Sequence, residues 1–221
     1  MNPKARASGM SRREVLIAMA LIAVLIGAAW LGISSLRPNF SPHRAATQAK
    51  IIHGWLMSYA GEHGGKFPTG ENANAAYREL FKVNVGADEK QFAIPGDAWT
   101  ASAPKGEPDG EIGNAPDYAR ALDAGENSFA YVSGLTTDSI PRIPLIANAF
   151  TSDLGVWCKD KSEKGGVCQG RYAIVCRVGG SSVAHELKEG EWMVREKFKG
   201  LPVNIFTPGF EDTNFTVLNP L

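Results

Sequence analysis

The hydrophobic and polar positions divide the chain into three unlike stretches. Val15 to Ile33 (VLIAMALIAVLIGAAWLGI) is nineteen residues without a charge, and Ser34, Ser35 and Leu36 extend the uncharged run to Arg37. As a helix those nineteen residues are about 28 Å long, close to the hydrocarbon thickness of a bilayer, and they are apolar on every side. The pattern predicts a transmembrane helix over 10–36. Ser41-Pro42 then offers a helix start, with a capping hydroxyl and a proline where no amide is needed. Ala45, Ala49, Ile52, Leu56 and Tyr59 recur at spacings of three and four up to Gly64-Gly65, which predicts an amphipathic stalk helix over 37–64. Pro38 and Pro42 predict a bend where the stalk meets the membrane helix.

Beyond residue 65 the pattern shortens. Residues 74–82 read as a short helix, and 96–125, rich in Pro, Gly, Asp and Ala, as a long surface loop. Strand signals follow at 128–133 and 143–147, the second weakened by Pro144. The clearest hairpin joins 172–178 to 182–187 through Gly179-Gly180, and 192–198 and 203–206 read as further strands. The expected fold class is α+β: a long N-terminal membrane-plus-stalk helix, kinked near Pro38 and Pro42, packed on a C-terminal antiparallel sheet. The expected domains are a leader at 1–9, the membrane helix at 10–36, the stalk at 37–64 and a globular head at 65–221.

Charge sharpens this division. The 221 residues hold 23 Lys and Arg against 23 Asp and Glu. Residues 1–40 carry Lys4, Arg6, Arg12, Arg13 and Arg37 against Glu14 alone, so the other 181 carry 18 basic and 22 acidic groups. A body with that acidic excess is no electrostatic match for nucleic acid. Basic residues lie on both sides of the apolar run, with a slight bias to the N-terminal side. A short head before the run and a long tail after it predict a cytoplasmic N-terminus and an exported domain.

Immediately before the apolar run stands Ser8-Gly9-Met10-Ser11-Arg12-Arg13-Glu14. A cut after Gly9 would leave Met10 first and Glu14 fifth, against the apolar segment. This resembles the leader of type IV pilins and type II secretion pseudopilins. The stretch from Tyr59 to Phe67-Pro68 looks like the close of the stalk in the same family, and Gly125-Glu126-Asn127 with Phe129-x-Tyr131-Val132-x-Gly134-Leu135 looks like its pseudopilin branch. The resemblance implies cleavage after Gly9 by a prepilin peptidase, methylation of the Met10 amine, and assembly into a type IV pilus or a secretion pseudopilus. Glu14 would lie beside the freed amine of a neighbouring subunit, each group offsetting the other's desolvation. The implied protein is a structural subunit and not an enzyme. Its partners would be the peptidase, other pilin or pseudopilin subunits and the bilayer, and it would sit in the inner membrane with its head in the periplasm or outside the cell.

Arg12 and Arg13 depart from the pilin pattern and open a second reading. Ser11-Arg12-Arg13-Glu14-Val15-Leu16 resembles a twin-arginine export signal. The chain would then be a membrane-anchored periplasmic binding protein or enzyme, with its ligand at the 96–125 loop. Against it, no small-x-small cleavage site follows the apolar run near Ser34 or Ser35.

Candidate chemistry in the body is sparse. His43, His53, His63 and His185 are scattered, and His53 and His63 are almost three turns apart on one helix, too far to share a metal. Cys158 and Cys168 flank a polar loop that could close into a hairpin; a bridge there is an open alternative, and Cys176, on a strand, is expected as a buried thiol. Asp109-Gly110-Glu111 and Asp153 are only faintly like a calcium loop, and an acidic turn in solvent is the expectation. No catalytic fingerprint, cofactor site or metal set is read, and Asn214-Phe215-Thr216 fits a glycosylation sequon.

Overall fold

The computed structural model describes residue 19 and residues 40–83, 85–97 and 108–221. The expected leader, and Met19 apart the expected membrane helix, lie outside the described residues. Among the described residues no helix is long and apolar enough to cross a membrane.

Helix α1 runs Pro42–Glu62. Ser41 stands at its N-cap in extended conformation (φ −126°, ψ 116°), and its hydroxyl accepts from the Arg44 amide. An extended residue at that point ends the helix on its N-terminal side. Ala45, Ala49, Ile52, Leu56 and Ala60 are fully buried along one stripe. At the other end the Gly65 amide donates to Ala60 O, and Gly64 and Gly65 both have positive φ (62° and 80°).

Helix α2, Ala73–Arg78, is capped by Asn72 and tightens into a 3-10 turn at Glu79–Phe81. The strands are β1 Phe129–Ser133, β2 Pro144–Asn148, β3 Tyr172–Arg177, β4 Ser182–Glu186, β5 Arg195–Phe198, β6 Leu201–Asn204 and β7 Thr216–Leu218. Five form an antiparallel sheet in the order β4-β3-β2-β1-β7, and β5 and β6 form a separate two-stranded ribbon. Pro144 is accommodated as the first residue of β2, where the register slips between Pro144 and Ile146.

The expected fold class is corrected by these elements. The described residues hold two short α-helices and a few 3-10 turns, and the remaining regular structure is antiparallel β, so a mostly β body replaces the architecture organised on one long helix. The physical reason on the described side is the Ser41 cap together with the small number of helical turns after Gly65. Ribbon β5–β6 also starts later and ends earlier than its sequence signals. Lys199 and Gly200, both at positive φ (51° and 83°), make the two-residue turn that pairs Phe198 with Leu201.

Register assigns the faces of the sheet. Tyr131, Ile146, Cys176 and Ser182 are successive cross-strand partners. Ser182 donates to Ala46 O at 2.6 Å, so this row faces α1. Tyr77 of α2 packs on Tyr131 with ring centroids 5.2 Å apart, placing α2 beside α1. The neighbouring row carries Arg177, which bonds Glu196 of β5 and so ties the ribbon to the other face. Arg142 bonds Glu196 at 3.0 Å and Glu211 at 3.1 Å, closing a four-residue ion network over Phe210. An aromatic group of Phe150, Trp157 and Phe206 supports this side, with centroids 4.8–6.0 Å apart.

The two sides of α1 predict opposite responses. Leu56→Ala, in the fully buried stripe, should lower unfolding stability by about 2–5 kcal/mol. Ile51→Ala, on the outer side, should stay within about 0.5 kcal/mol. Chemical denaturation of the two variants checks the difference.

Candidate functional site

Of the residues expected to act, Gly9, Met10 and Glu14 lie outside the described residues, as do Arg12 and Arg13. The 96–125 loop is described at 96–97 and from residue 108 onward. The described part is held by side chains. Arg120 pairs with Asp109 at 3.5 Å and with Glu111, and Arg78 Nε donates to Ala121 O at 2.8 Å. Asn74 Nδ2 donates to Leu122 O and Asp123 O at 2.8 and 3.2 Å. Leu122 has a positive φ of 53°, a conformation that these bonds hold in place.

Two acidic side chains complete the strap. Glu89, in a 3-10 turn at Glu89–Gln91 capped by Asp88, accepts from the Leu122 amide at 2.6 Å. Glu126, three residues before β1, accepts from the Asp123 amide at 2.6 Å. Both are buried, 2% and 1% exposed, and their other oxygens, Glu89 Oε2 and Glu126 Oε1, have no hydrogen-bond partner. Burial pushes both carboxyls above their ordinary range; the Leu122 and Gly110 amides oppose it at Glu89 and the Asp123 amide at Glu126, while Asp109 and Asp123 reinforce it at both and Glu89 reinforces it at Glu126. Sequence reading missed this pair because the two glutamates are 37 positions apart and flanked by other charged residues.

A second feature lies at the open edge of the sheet. The Leu187 amide donates to Arg171 O and the Arg177 amide to Ser181 O, so in β4 the odd-numbered residues turn their backbone toward β3. Ser182, Ala184 and Glu186 therefore turn theirs away, toward the free edge. Beside it lies a cleft of about 660 Å³ lined by Lys159, Gln169, Arg171, Tyr172, Glu186 and Glu189 among others. A second hollow of about 410 Å³, sharing Glu186 and Leu187, reaches His185, Arg195 and Pro202. Lys159 pairs with Glu189 at 2.7 Å across exposed surface. The cleft offers donors and acceptors of both signs, suited to a polar ligand or an extended peptide, and it is not in the loop where a ligand was expected.

Cys158, Cys168 and Cys176 are free thiols in the structure. Cys158 Sγ lies 3.6 Å from Asp160 O and 3.8 Å from Lys164 O. Burial raises all three thiols, Cys176 to about 11, which disfavours the thiolate a nucleophile needs. The histidines stay apart: His53 meets Val178 O at 2.9 Å, His63 stacks on Tyr59, and burial and Arg177 lower the His185 pKa. Asp109-Gly110-Glu111 is an exposed turn, as expected. Among the described residues no three His, Cys, Asp or Glu side chains converge as a metal centre.

The acid pair fixes the sign of a pH response. A carboxyl whose pKa is raised by folding contributes stability that is complete below its unfolded value and lost as pH rises through the native value. In chelator-treated buffer the melting temperature should therefore fall as pH rises above the ordinary carboxylate value of 4.5. Glu89→Gln and Glu126→Gln should each flatten that slope; thermal melts across pH give the comparison.

No protein-family model matches the chain, and no curated protein and no solved structure matches it either.

Proposed function

We propose that this chain is a pilin-like structural subunit of a type IV pilus or a type II secretion pseudopilus. The observation that carries the reading is the order Gly9-Met10, Glu14 at the fifth place after the cut, and nineteen uncharged residues from Val15. A prepilin peptidase removes residues 1–9. The segment 15–33 anchors the chain in the inner membrane with its N-terminus in the cytoplasm, and the body lies on the periplasmic or outer side. Glu14 pairs with the freed amine of the adjoining subunit, because a carboxylate at the lipid boundary is costly until an opposite charge meets it.

The body supports the reading through the outward side of α1. Thr47, Ile51, Gly54, Ser58 and Gly61 are exposed there at spacings of four and three, and nothing lies within 4 Å of where a side chain would begin at Gly54 or Gly61. That row is shallow enough for a neighbouring helix to approach closely. Arg12-Arg13 favours the other reading, a twin-arginine substrate anchored in the membrane with a ligand of its own.

N-terminal sequencing of the membrane-bound protein separates the two. A chain beginning at Met10 is expected; one beginning at Met1 removes the pilin reading. Glu14→Ala should leave insertion intact and lower filament incorporation by about a hundredfold or more, since stripping one partner from a buried ion pair costs about 3–5 kcal/mol. Pelleting of assembled filaments from these cells reads that loss.

A further inference from the structure

We propose that β4 is an interface between two copies of this chain, which pair their β4 strands antiparallel about Ala184 and so join two sheets into one. The Arg177 amide donates to Ser181 O and the Leu187 amide to Arg171 O, so β4 spends the backbone of its odd-numbered residues on β3. Ser182, Ala184 and Glu186 therefore present their amides and carbonyls along an open edge, beside the cleft that Glu186 lines. An edge of that kind is a template for a further strand unless something blunts it. The other edges are blunted: β7 has three residues and runs into Asn219-Pro220, β6 contains Pro202, and β5 carries Arg195 and Lys197. β4 has five residues with no proline and no lysine, and its Val183 is 44% exposed.

Register identifies the occupant as a second copy. Paired about Ala184, each chain sets Ser182 opposite Glu186 of the other and Ala184 opposite Ala184, and each of these pairs exchanges both backbone bonds. All the outward groups of β4 are then satisfied. Val183 falls opposite His185 of the second copy in the closer, non-hydrogen-bonded kind of pair, so the exposed valine gains an imidazole to pack on. No two like charges face each other. Centred on Glu186, the pair would oppose two carboxylates, and centred on any residue but Ala184 it runs at least one of the three outward residues past the end of the facing strand. Helix α1 meets β4 from one face, through the Ser182 hydroxyl on Ala46 O, and leaves the backbone edge open. The contact is two-fold and closes on itself. It uses neither the leader nor the segment 15–33, so it stands whether or not the pilin reading does.

The test is disulfide trapping of the full chain in detergent, in a Cys158→Ser background, since Cys168 and Cys176 are buried. Val183→Cys and His185→Cys chains are purified separately, then mildly oxidised alone and as a mixture. Facing residues of a non-hydrogen-bonded pair lie about 4.5 Å apart at Cα, within reach of a disulfide, whereas position 183 of one copy lies diagonally about 7–8 Å from position 183 of the other, beyond it. The covalent dimer should form in the mixture and exceed that of either chain alone several-fold. Ala184→Pro removes an outward amide that β4 does not spend on β3, so the fold keeps its ladder while the pair loses two hydrogen bonds. Carried by both chains, it should lower trapping by about tenfold or more. No dimer in the mixture overturns the proposal and leaves the edge to an extended segment of a different protein. Equal trapping in the mixture and in either chain alone overturns it too, because chance collision needs no register, and so does undiminished trapping in folded Ala184→Pro chains. Should Ala184→Pro fail to fold, the comparison of mixture with single chains decides alone.

Discussion

One buried stripe governs the described body: Ala45, Ala49, Ile52, Leu56 and Ala60 on α1, pressed against a face of the five-stranded sheet. Three of these five are alanines, so the helix approaches closely enough for backbone-level contacts, among them Ser182 to Ala46 O and His53 to Val178 O. Those contacts fix the position of α1 on β3, β4 and the turn between them. Gly180 in that turn has a positive φ of 79° and lies against the His53 ring, with only 3.2 Å between the ring and where a side chain would begin. The turn therefore serves both the hairpin geometry and the helix packing.

The described residues between α2 and β1 are held differently. They have little regular structure, yet Glu89, Glu126 and Asn127 there, with Asn74 of α2, are completely or nearly buried. Asn74 Oδ1 accepts from Asn127 and from the Leu221 amide, while its nitrogen donates to the 122–123 carbonyls. Side chains here take the role that strand neighbours take elsewhere, satisfying backbone groups that a loop would otherwise leave to water. A network of this kind specifies one conformation when complete, and any member left half-satisfied concentrates cost at one point. That point is the pair of glutamate oxygens.

Periodicity made α1 legible because its stripe is long and its two ends carry strong local signals, Ser41-Pro42 and Gly64-Gly65. The 172–187 hairpin was legible for the same reason: two runs of β-formers around glycines. What was hidden depends on partners distant in sequence. β7 is three residues long and exists because β1 presents an edge at Tyr131–Ser133. β6 contains Pro202, tolerated because both strands of a two-stranded ribbon are edges. The acid pair and the groove at β4 arise from chain crossings that no local pattern records, and surface-type residues such as Glu read as solvated until a fold buries them.

The functional reading therefore rests on two independent kinds of evidence with different reach. The leader pattern is local and chemical: it needs a glycine at the cut, a carboxylate five places on and an apolar run, and it is indifferent to what the rest of the chain folds into. The body is global, and its exposed α1 row, open β4 edge and strapped acidic loop constrain what it can touch without naming the machine that carries it. The exposed row on α1 and the β4 cleft lie on different elements, since α1 covers the sheet with its buried side while the cleft opens beside the end of β4. Substitutions in one can therefore be made without touching the other.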